Sequence, residues 1–356
     1  MNETTRYLLA FFVPLVATLA LTPLVARVAH RLDILDRPAA NKFHVRATPY
    51  LGGLAIAGGL MAVAAFTTGY TGELVTILAG GVAMFALGLV DDVRTVSPRT
   101  KVVAQAGAAL ALWFAGVRGG LFGSVADLPF TILWVVAVTN AVNLLDNMDG
   151  VLSGVAAVAA LAFFVIAAER GDYLVGSFAL AVAAASLGFL RYNFPPARIF
   201  LGDAGSMLLG FLLAAIGLKL DLVGPTGLAR TAIPVLVLGV PLFDTLLVVV
   251  ARLRDRRPVL RGATDHTSHR LVSLGLTGHR VAVVAYVTQV AMAAVAVWLV
   301  HASQTSAVIT VGVACVAAGA GVVALLRTEP TGTGAERYRS VEGSNQPAGA
   351  PSMPAV

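Results

Sequence analysis

A chain of 356 residues with 58% hydrophobic and only 12% charged side chains is too apolar for a soluble protein, in which roughly a quarter of residues are charged. The net charge of +6 does not argue for a nucleic-acid partner, because the basic residues fall in short loops between apolar runs. The single cysteine, Cys315, lies inside such a run, which excludes a disulfide framework and a cysteine-ligated zinc site.

The apolar runs lie at about 7–29, 51–69, 74–90, 102–117, 129–145, 151–168, 173–190, 204–220, 231–251, 280–300 and 306–326. Many are long enough to cross a hydrocarbon layer of about 30 Å. They predict an all-α, polytopic membrane helix bundle of about eleven transmembrane helices, spanning residues 1–326, followed by a disordered tail at 327–356. That tail is rich in Gly, Pro, Ser and Thr and has too little apolar surface to fold. The first run is too long for a cleavable signal peptide, carries only Arg6 before it, and is followed rather than preceded by basic residues. Eleven spans put the termini on opposite sides. Twenty basic residues fall on the side of the C-terminus and five on the other. The positive-inside rule then predicts a multi-pass protein of the inner (plasma) membrane, with the N-terminus outside and the C-terminus cytoplasmic.

Every cluster with chemical character falls on that cytoplasmic side, at 41–53, 91–101, 140–150, 191–206 and 265–270. The first joins Lys42, His44 and Arg46 to a Pro and Gly-Gly turn, which suits either a diphosphate grip or an ordinary basic loop. Asp91 and Asp92 end the third run. Adjacent carboxylates repel, so the pair is either a metal-phosphate site or general base, or a solvated helix end. Asn140, Asn143, Asp146 and Asp149 recur every three residues before Gly150, which sets amides and carboxylates roughly along one side of a helix. Polar groups this dense between two spans favour function.

In the fourth cluster Asp203 sits between Gly202 and Gly205 at the start of an apolar run. It can hold one face of a Mg²⁺ whose other ligands are water and phosphate, or it can cap the helix. Helix N-termini also attract phosphate. His266 and His269 have a spacing that suits phosphate contact or hydrogen bonding better than zinc. Asp244, inside the ninth run, is a candidate by its depth alone, with pairing to Arg252 as the bland alternative. Glu73 and Asp172 read as solvated residues of outward loops.

Together these clusters resemble the polyprenyl-phosphate N-acetylhexosamine-1-phosphate transferase family, over about residues 30–280. Five ordered motifs carry the resemblance: Lys42-Phe-His44 with Thr48-Pro49 and Gly52-Gly53; Asp91-Asp92 with Pro98 and Lys101; Asn140-x-x-Asn143-x-x-Asp146-x-x-Asp149-Gly150; Phe200-Leu-Gly-Asp203-x-Gly205-Ser206; and His266-x-x-His269-Arg270-Leu271. Two positions depart from the pattern, Asn41 for arginine and Ser268 for a histidine. The resemblance implies a UDP-N-acetylhexosamine donor, a polyprenyl phosphate acceptor in the bilayer, and a Mg²⁺ (or Mn²⁺) cofactor, with no nucleic acid. A homodimer is left open. It implies that Asp203 and Asp91 ligate the metal and that Asp91 or Asp92 deprotonates or positions the acceptor. Lys42, His44, Arg46, Lys101, His266, His269 and Arg270 would face phosphates. Asn140, Asn143, Asp146 and Asp149 would hold the nucleotide, with Phe200 stacked on uracil.

The His269-Arg270-Leu271 ending and Pro241-Leu-Phe-Asp244-Thr245 look like the branch using UDP-N-acetylglucosamine, the alternative being the UDP-N-acetylmuramyl-pentapeptide branch. A secondary transporter needs ionisable residues near the midplane in inverted repeats, and no repeat is seen. An intramembrane aspartyl protease needs two facing acids inside the membrane, whereas Asp91, Asp92 and Asp203 are at span ends.

Overall fold

A computed structural model of the chain describes residues 2–37, 47–64, 71–119, 125–220, 222, 228–258 and 265–328. Lys42, His44, Arg46 and the tail beyond Thr328 lie outside the described residues. Among the described residues thirteen helices follow in order: α1 (Glu3–Arg31), α2 (Gly52–Ala64), α3 (Gly72–Val93), α4 (Pro98–Phe114), α5 (Asp127–Leu145), α6 (Val151–Glu169), α7 (Tyr173–Asn193), α8 (Gly202–Lys219), α9 (Leu228–Val237), α10 (Gly239–Arg254), α11 (Thr267–Ser273), α12 (Gly278–Leu299) and α13 (Gln304–Leu326). Two residue pairs, β1 (Leu35–Asp36) and β2 (Thr48–Pro49), form a small antiparallel ladder between α1 and α2.

Each apolar run of the sequence is helical, and the structure is a polytopic membrane bundle. Eight helices are long and apolar enough to cross a membrane, or nine if α9 and α10 count as one bent span. Among the described residues the runs at 51–69 and 102–117 give helices of 13 and 17 residues, and residues 65–69 of the first run lie outside the described residues.

Side-chain caps set where the helices begin. Thr71, Ser97, Asp172, Thr277 and Ser303 accept the backbone N–H groups of Leu74, Thr100, Val175, Arg280 and Ser306. Asp172 is therefore a cap rather than a free loop acid. Glu73 likewise pairs with Lys219 at 2.8 Å, tying the start of α3 to the end of α8.

α8 is the centre: 83% of its apolar window is buried, against 6% for α13. Around it α5, α6 and α7 bury Phe163 and small residues such as Ala160, Ala183, Ala184 and Ala185. Small side chains let helices approach closely where lipid provides no hydrophobic drive between them. At Gly88 of α3 an added Cβ would fall against the Asp203 backbone carbonyl of α8. Trp134 of α5 donates its indole N–H to the Ala214 carbonyl at 3.0 Å, a polar stitch into the same helix.

The ninth run departs most from its expectation. It is no straight helix but α9 and α10, bent by 85° at Leu238. Pro241 has no N–H and its ring crowds the carbonyl four residues back, that of Val237. Gln289 of α12, fully buried, repairs both stranded groups. Its Nε2 donates to the Val237 carbonyl at 2.7 Å and its Oε1 accepts from Val240 N at 3.3 Å. Replacing Gln289 by Leu strands these two groups in apolar surroundings, at about 1–3 kcal/mol each. We expect the thermal unfolding midpoint of the detergent-purified protein to fall by several degrees. An unchanged midpoint would show that the bend stands without Gln289.

Candidate active site

Chain direction alternates from helix to helix, so the C-terminal ends of α3, α5 and α7 meet the N-terminal ends of α4, α6 and α8. These ends carry the acids and amides. The loop segment at 49–53 lies along the approach to α8: Phe200 N donates to the Pro49 carbonyl at 2.8 Å, Gly52 N to Phe200 O at 2.9 Å, and Gly53 N to Leu201 O at 2.8 Å. Half-buried Phe200 is thus fixed through its backbone.

The two adjacent aspartates of α3 do different work. Asp92 reaches the first turn of α8, where its Oδ1 accepts from Asp203 N at 2.6 Å and its Oδ2 from Ala204 N at 3.1 Å. The helix's own N-cap, Leu201, supplies no side-chain bond. Capping by Asp203 is therefore excluded, since a neighbouring helix provides the cap. The positive N-terminus that could have bound phosphate already holds an internal carboxylate. Gly202 is required here twice over. Its φ is +76°, and a Cβ would lie 2.7 Å from Asp92 Oδ2. The Tyr50 hydroxyl also hydrogen-bonds Asp92, and burial, followed by the charges of Asp92, Asp203 and Asp146, drives its pKa far above the ordinary phenol range.

Asp91 turns the other way. Its Oδ1 accepts from Val96 N at 2.5 Å, and its Oδ2 pairs with Lys101 Nζ. The same ammonium lies 2.6 Å from Asp203 Oδ2, and the two carboxyl groups are within hydrogen-bonding reach of each other. Asn143 of α5 completes the setting, donating from Nδ2 to Asp203 Oδ1 at 3.0 Å and to Ser206 Oγ at 2.8 Å. Half-buried Asp146 follows at the C-cap of α5; burial, and then the nearby charges of Asp203, Asp92 and Asp149, push its carboxyl well above its usual range.

Other expected members of the site have structural partners. Asn140 donates to Gln105 Oε1 at 2.5 Å and to the Val136 carbonyl at 2.8 Å, facing α4 rather than Asp203. Asp149 accepts from Ala197 N at 2.8 Å and holds the turn before Phe200. Two residues that the sequence did not single out brace this turn. Asn193 accepts from Gly150 N and Ser153 Oγ and donates to the Ile199 carbonyl, while Tyr286 of α12 donates to the Gly150 carbonyl at 2.7 Å.

The last motif forms α11, bolted onto α10 by Asp244. Its Oδ2 lies 2.7 Å from His266 Nδ1, and its Oδ1 accepts from Thr267 N at 2.7 Å. Arg252 pairs with Asp265 instead, at 3.2 Å. Ser268, at the position where a histidine was expected, donates to Asn147 Oδ1 at 2.5 Å and so ties α11 to the end of α5. Burial, together with the nearby His266, lowers His269 to about 4, which leaves its ring neutral at pH 7. Arg270, 3% exposed, donates to the carbonyls of Asp265, Leu325 and Thr328. The guanidinium therefore closes the end of α13 rather than facing a phosphate. Beside α11 opens a cavity of about 490 Å³ between α10, α12 and α13, apolar except at Asp244, Thr267, Ser268 and Thr288.

Among the described residues no three His, Cys, Asp or Glu side chains form a complete metal-ligand set. Asp91 and Asp203 nevertheless converge on one cation position, already filled by an ammonium. Two hard carboxylate oxygens, with water and phosphate for the rest, suit Mg²⁺.

The chain matches glycosyl transferase family 4 over residues 74–221. It is 36% identical over 290 residues to the probable undecaprenyl-phosphate N-acetylglucosaminyl 1-phosphate transferase of Bacillus subtilis (strain 168), covering 78% of this chain and 80% of that protein. The decaprenyl-phosphate N-acetylglucosaminephosphotransferase of Mycobacterium leprae (strain TN) is 32% identical over 349 residues, 86% of this chain and 87% of the relative. The phospho-N-acetylmuramoyl-pentapeptide-transferase of Geobacillus kaustophilus (strain HTA426) is 31% identical over 274 residues, 68% and 81% of the two. With the acid-lined helix ends, these similarities define the class, an integral-membrane phosphosugar transferase. The chain belongs to glycosyl transferase family 4.

The division between the paired acids is testable. Asp92→Ala removes the cap of α8, and we expect a loss of stability of about 1–2 kcal/mol. Asp91→Asn leaves that cap intact, and we expect near-normal thermal stability with turnover reduced on the order of 10²-fold or more. Unfolding curves and turnover of the two variants check this; the reverse pattern would exchange their roles.

Proposed function

We propose that this protein transfers N-acetylglucosamine-1-phosphate from UDP-N-acetylglucosamine to a polyprenyl phosphate in the bilayer. The products are a polyprenyl-diphosphate sugar and UMP, a first membrane step of envelope glycan assembly. The observation that carries the reading is the convergence of Asp91, Lys101, Asn143 and Asp203 from four helices on one point. The names of the Bacillus and Mycobacterium relatives support the substrate pair.

In this reading an oxygen of the acceptor phosphate attacks the sugar-bearing phosphorus, a new P–O bond forms, and the bond to the UMP oxygen breaks. Both reactants are anions, so alignment and charge neutralisation are the main tasks. When bound, Mg²⁺ (or Mn²⁺) supplies part of that neutralisation and is held by Asp91 and Asp203. Lys101 supplies a mobile positive charge on a flexible stem. Asn143 orients Asp203, and Asp92 keeps the α8 backbone beneath it fixed. Burial and the nearby charges of Asp203, Asp92 and Asp149 push the Asp146 carboxyl above its usual range, which suits it to share a proton with a phosphate. His269, being neutral, serves as a hydrogen-bonding group and not as a charge. The cavity beside α11 supports a lipid acceptor, because apart from Asp244, Thr267, Ser268 and Thr288 its lining is apolar.

Purified protein with Mg²⁺ and undecaprenyl phosphate should release UMP from UDP-N-acetylglucosamine and lose that activity with chelator. Turnover with the muramyl-pentapeptide nucleotide alone would transfer the protein to the other branch.

The basic asymmetry puts this face, and α11 with it, in the cytoplasm of a bacterial cell. Cys315→Ala with Leu274→Cys, at an exposed position just after α11, should resist an impermeant thiol reagent in intact cells and react after permeabilisation. Labelling from outside would invert the topology.

A further inference from the structure

We propose that Lys101 is an exchangeable internal cation, which occupies the metal position between Asp91 and Asp203 and moves to the donor diphosphate when the metal enters. The proposal rests on the reading above that this carboxylate pair holds a divalent ion.

The geometry points to exchange rather than to a permanent ion pair. Lys101 Nζ contacts Asp91 Oδ2 and lies 2.6 Å from Asp203 Oδ2, so one ammonium is shared by two carboxylates from different helices. A Mg²⁺ bound by the same oxygens would lie about 2.0–2.1 Å from each. It would need the volume and the electrostatic position that Nζ already holds, so the two cations exclude one another. Without either cation, two carboxyl groups within hydrogen-bonding reach would repel. The ammonium thus bridges the two carboxyl groups and holds them in place before the metal arrives.

Lys101 is also built to leave. It sits in the first turn of α4, whose N-terminus is fixed independently by Ser97 and Pro98, so moving the side chain does not disturb the helix. Its four-carbon stem is flexible, unlike the planar fork of arginine. A displaced ammonium in a partly buried site is unfavourable until it meets another anion. The diphosphate of the donor supplies one. Metal and donor should therefore bind with mutual assistance, since each relieves a cost imposed by the other.

The test uses full-length protein purified in detergent, with Mn²⁺ alone as probe and its binding followed by electron paramagnetic resonance. Lys101→Met removes the competing charge and should tighten Mn²⁺ binding about ten-fold relative to the unaltered protein. Lys101→Gln, a second neutral variant, should do the same. Lys101→Arg, which keeps the charge, should not tighten binding. Thermal unfolding verifies that each variant is folded. Asp203→Asn should weaken Mn²⁺ binding in every background. Equal or weaker binding in both neutral variants, with Asp203-dependent binding in the unaltered protein, would overturn the exchange while leaving the metal-dependent transfer standing. No Asp203-dependent binding in any of these proteins would overturn both.

Discussion

The structure depends on one carboxylate entering the end of a helix it does not belong to. Asp92, the penultimate residue of α3, accepts from two N–H groups at the start of α8 and so supplies the cap that Leu201 cannot. Much follows from this contact. It joins α3 to the most buried helix in the protein, and it requires glycine at position 202. It also relieves Asp203 of capping its own helix, and leaves that carboxylate to face Asp91, Lys101 and Asn143. Asp92 thus fixes the backbone from which the Asp203 side chain projects.

Much of this arrangement was legible in the sequence. Composition established a helical membrane bundle, and the alternation of spans put five polar clusters at one end. Four of the five are described in full: Asp91, Lys101, Asn143 and Asp203 meet, whereas Asn140, Asp149 and Arg270 turn to other partners. The direction in which each side chain points was not legible. Asp91 and Asp92 are neighbours, yet about 100° of helical rotation separates their side chains, enough to send one to a cation and the other to a backbone. Asn140 and Asn143 share a three-residue spacing but diverge by about 60° around the axis, so one meets Gln105 and the other Asp203.

Other features were hidden because their cause lies far away in the chain. The bend at Leu238 is hinted at by Pro241, but Gln289, some fifty residues later, completes its hydrogen bonding. In sequence Gln289 is an isolated polar residue in an apolar run. Asp244 is a candidate by its depth, with Arg252 or a nearby backbone group as the bland alternative. Its partners are His266 and the Thr267 backbone, which return to it after a loop. In an apolar environment an unpaired polar group is costly, so each such residue marks a partner elsewhere. The sequence shows that a partner exists without showing which residue it is.

The closure of α13 by Arg270 bears on the order in which the protein is made. The guanidinium rests on the carbonyls of residues 325 and 328, and Arg254 adds a bond to that of residue 326. These are among the last carbonyls of the described residues to leave the ribosome, whereas the acids at the ends of α3, α5 and α8 are synthesised over a hundred residues earlier. A nascent chain therefore holds Asp91, Asp92, Asp146 and Asp203 while α11 still lacks its contacts to the end of α13. Chains that stop short of residue 325 would carry the acidic centre and the Asp244 and Asn147 contacts of α11, but not the Arg270 contacts to the end of α13.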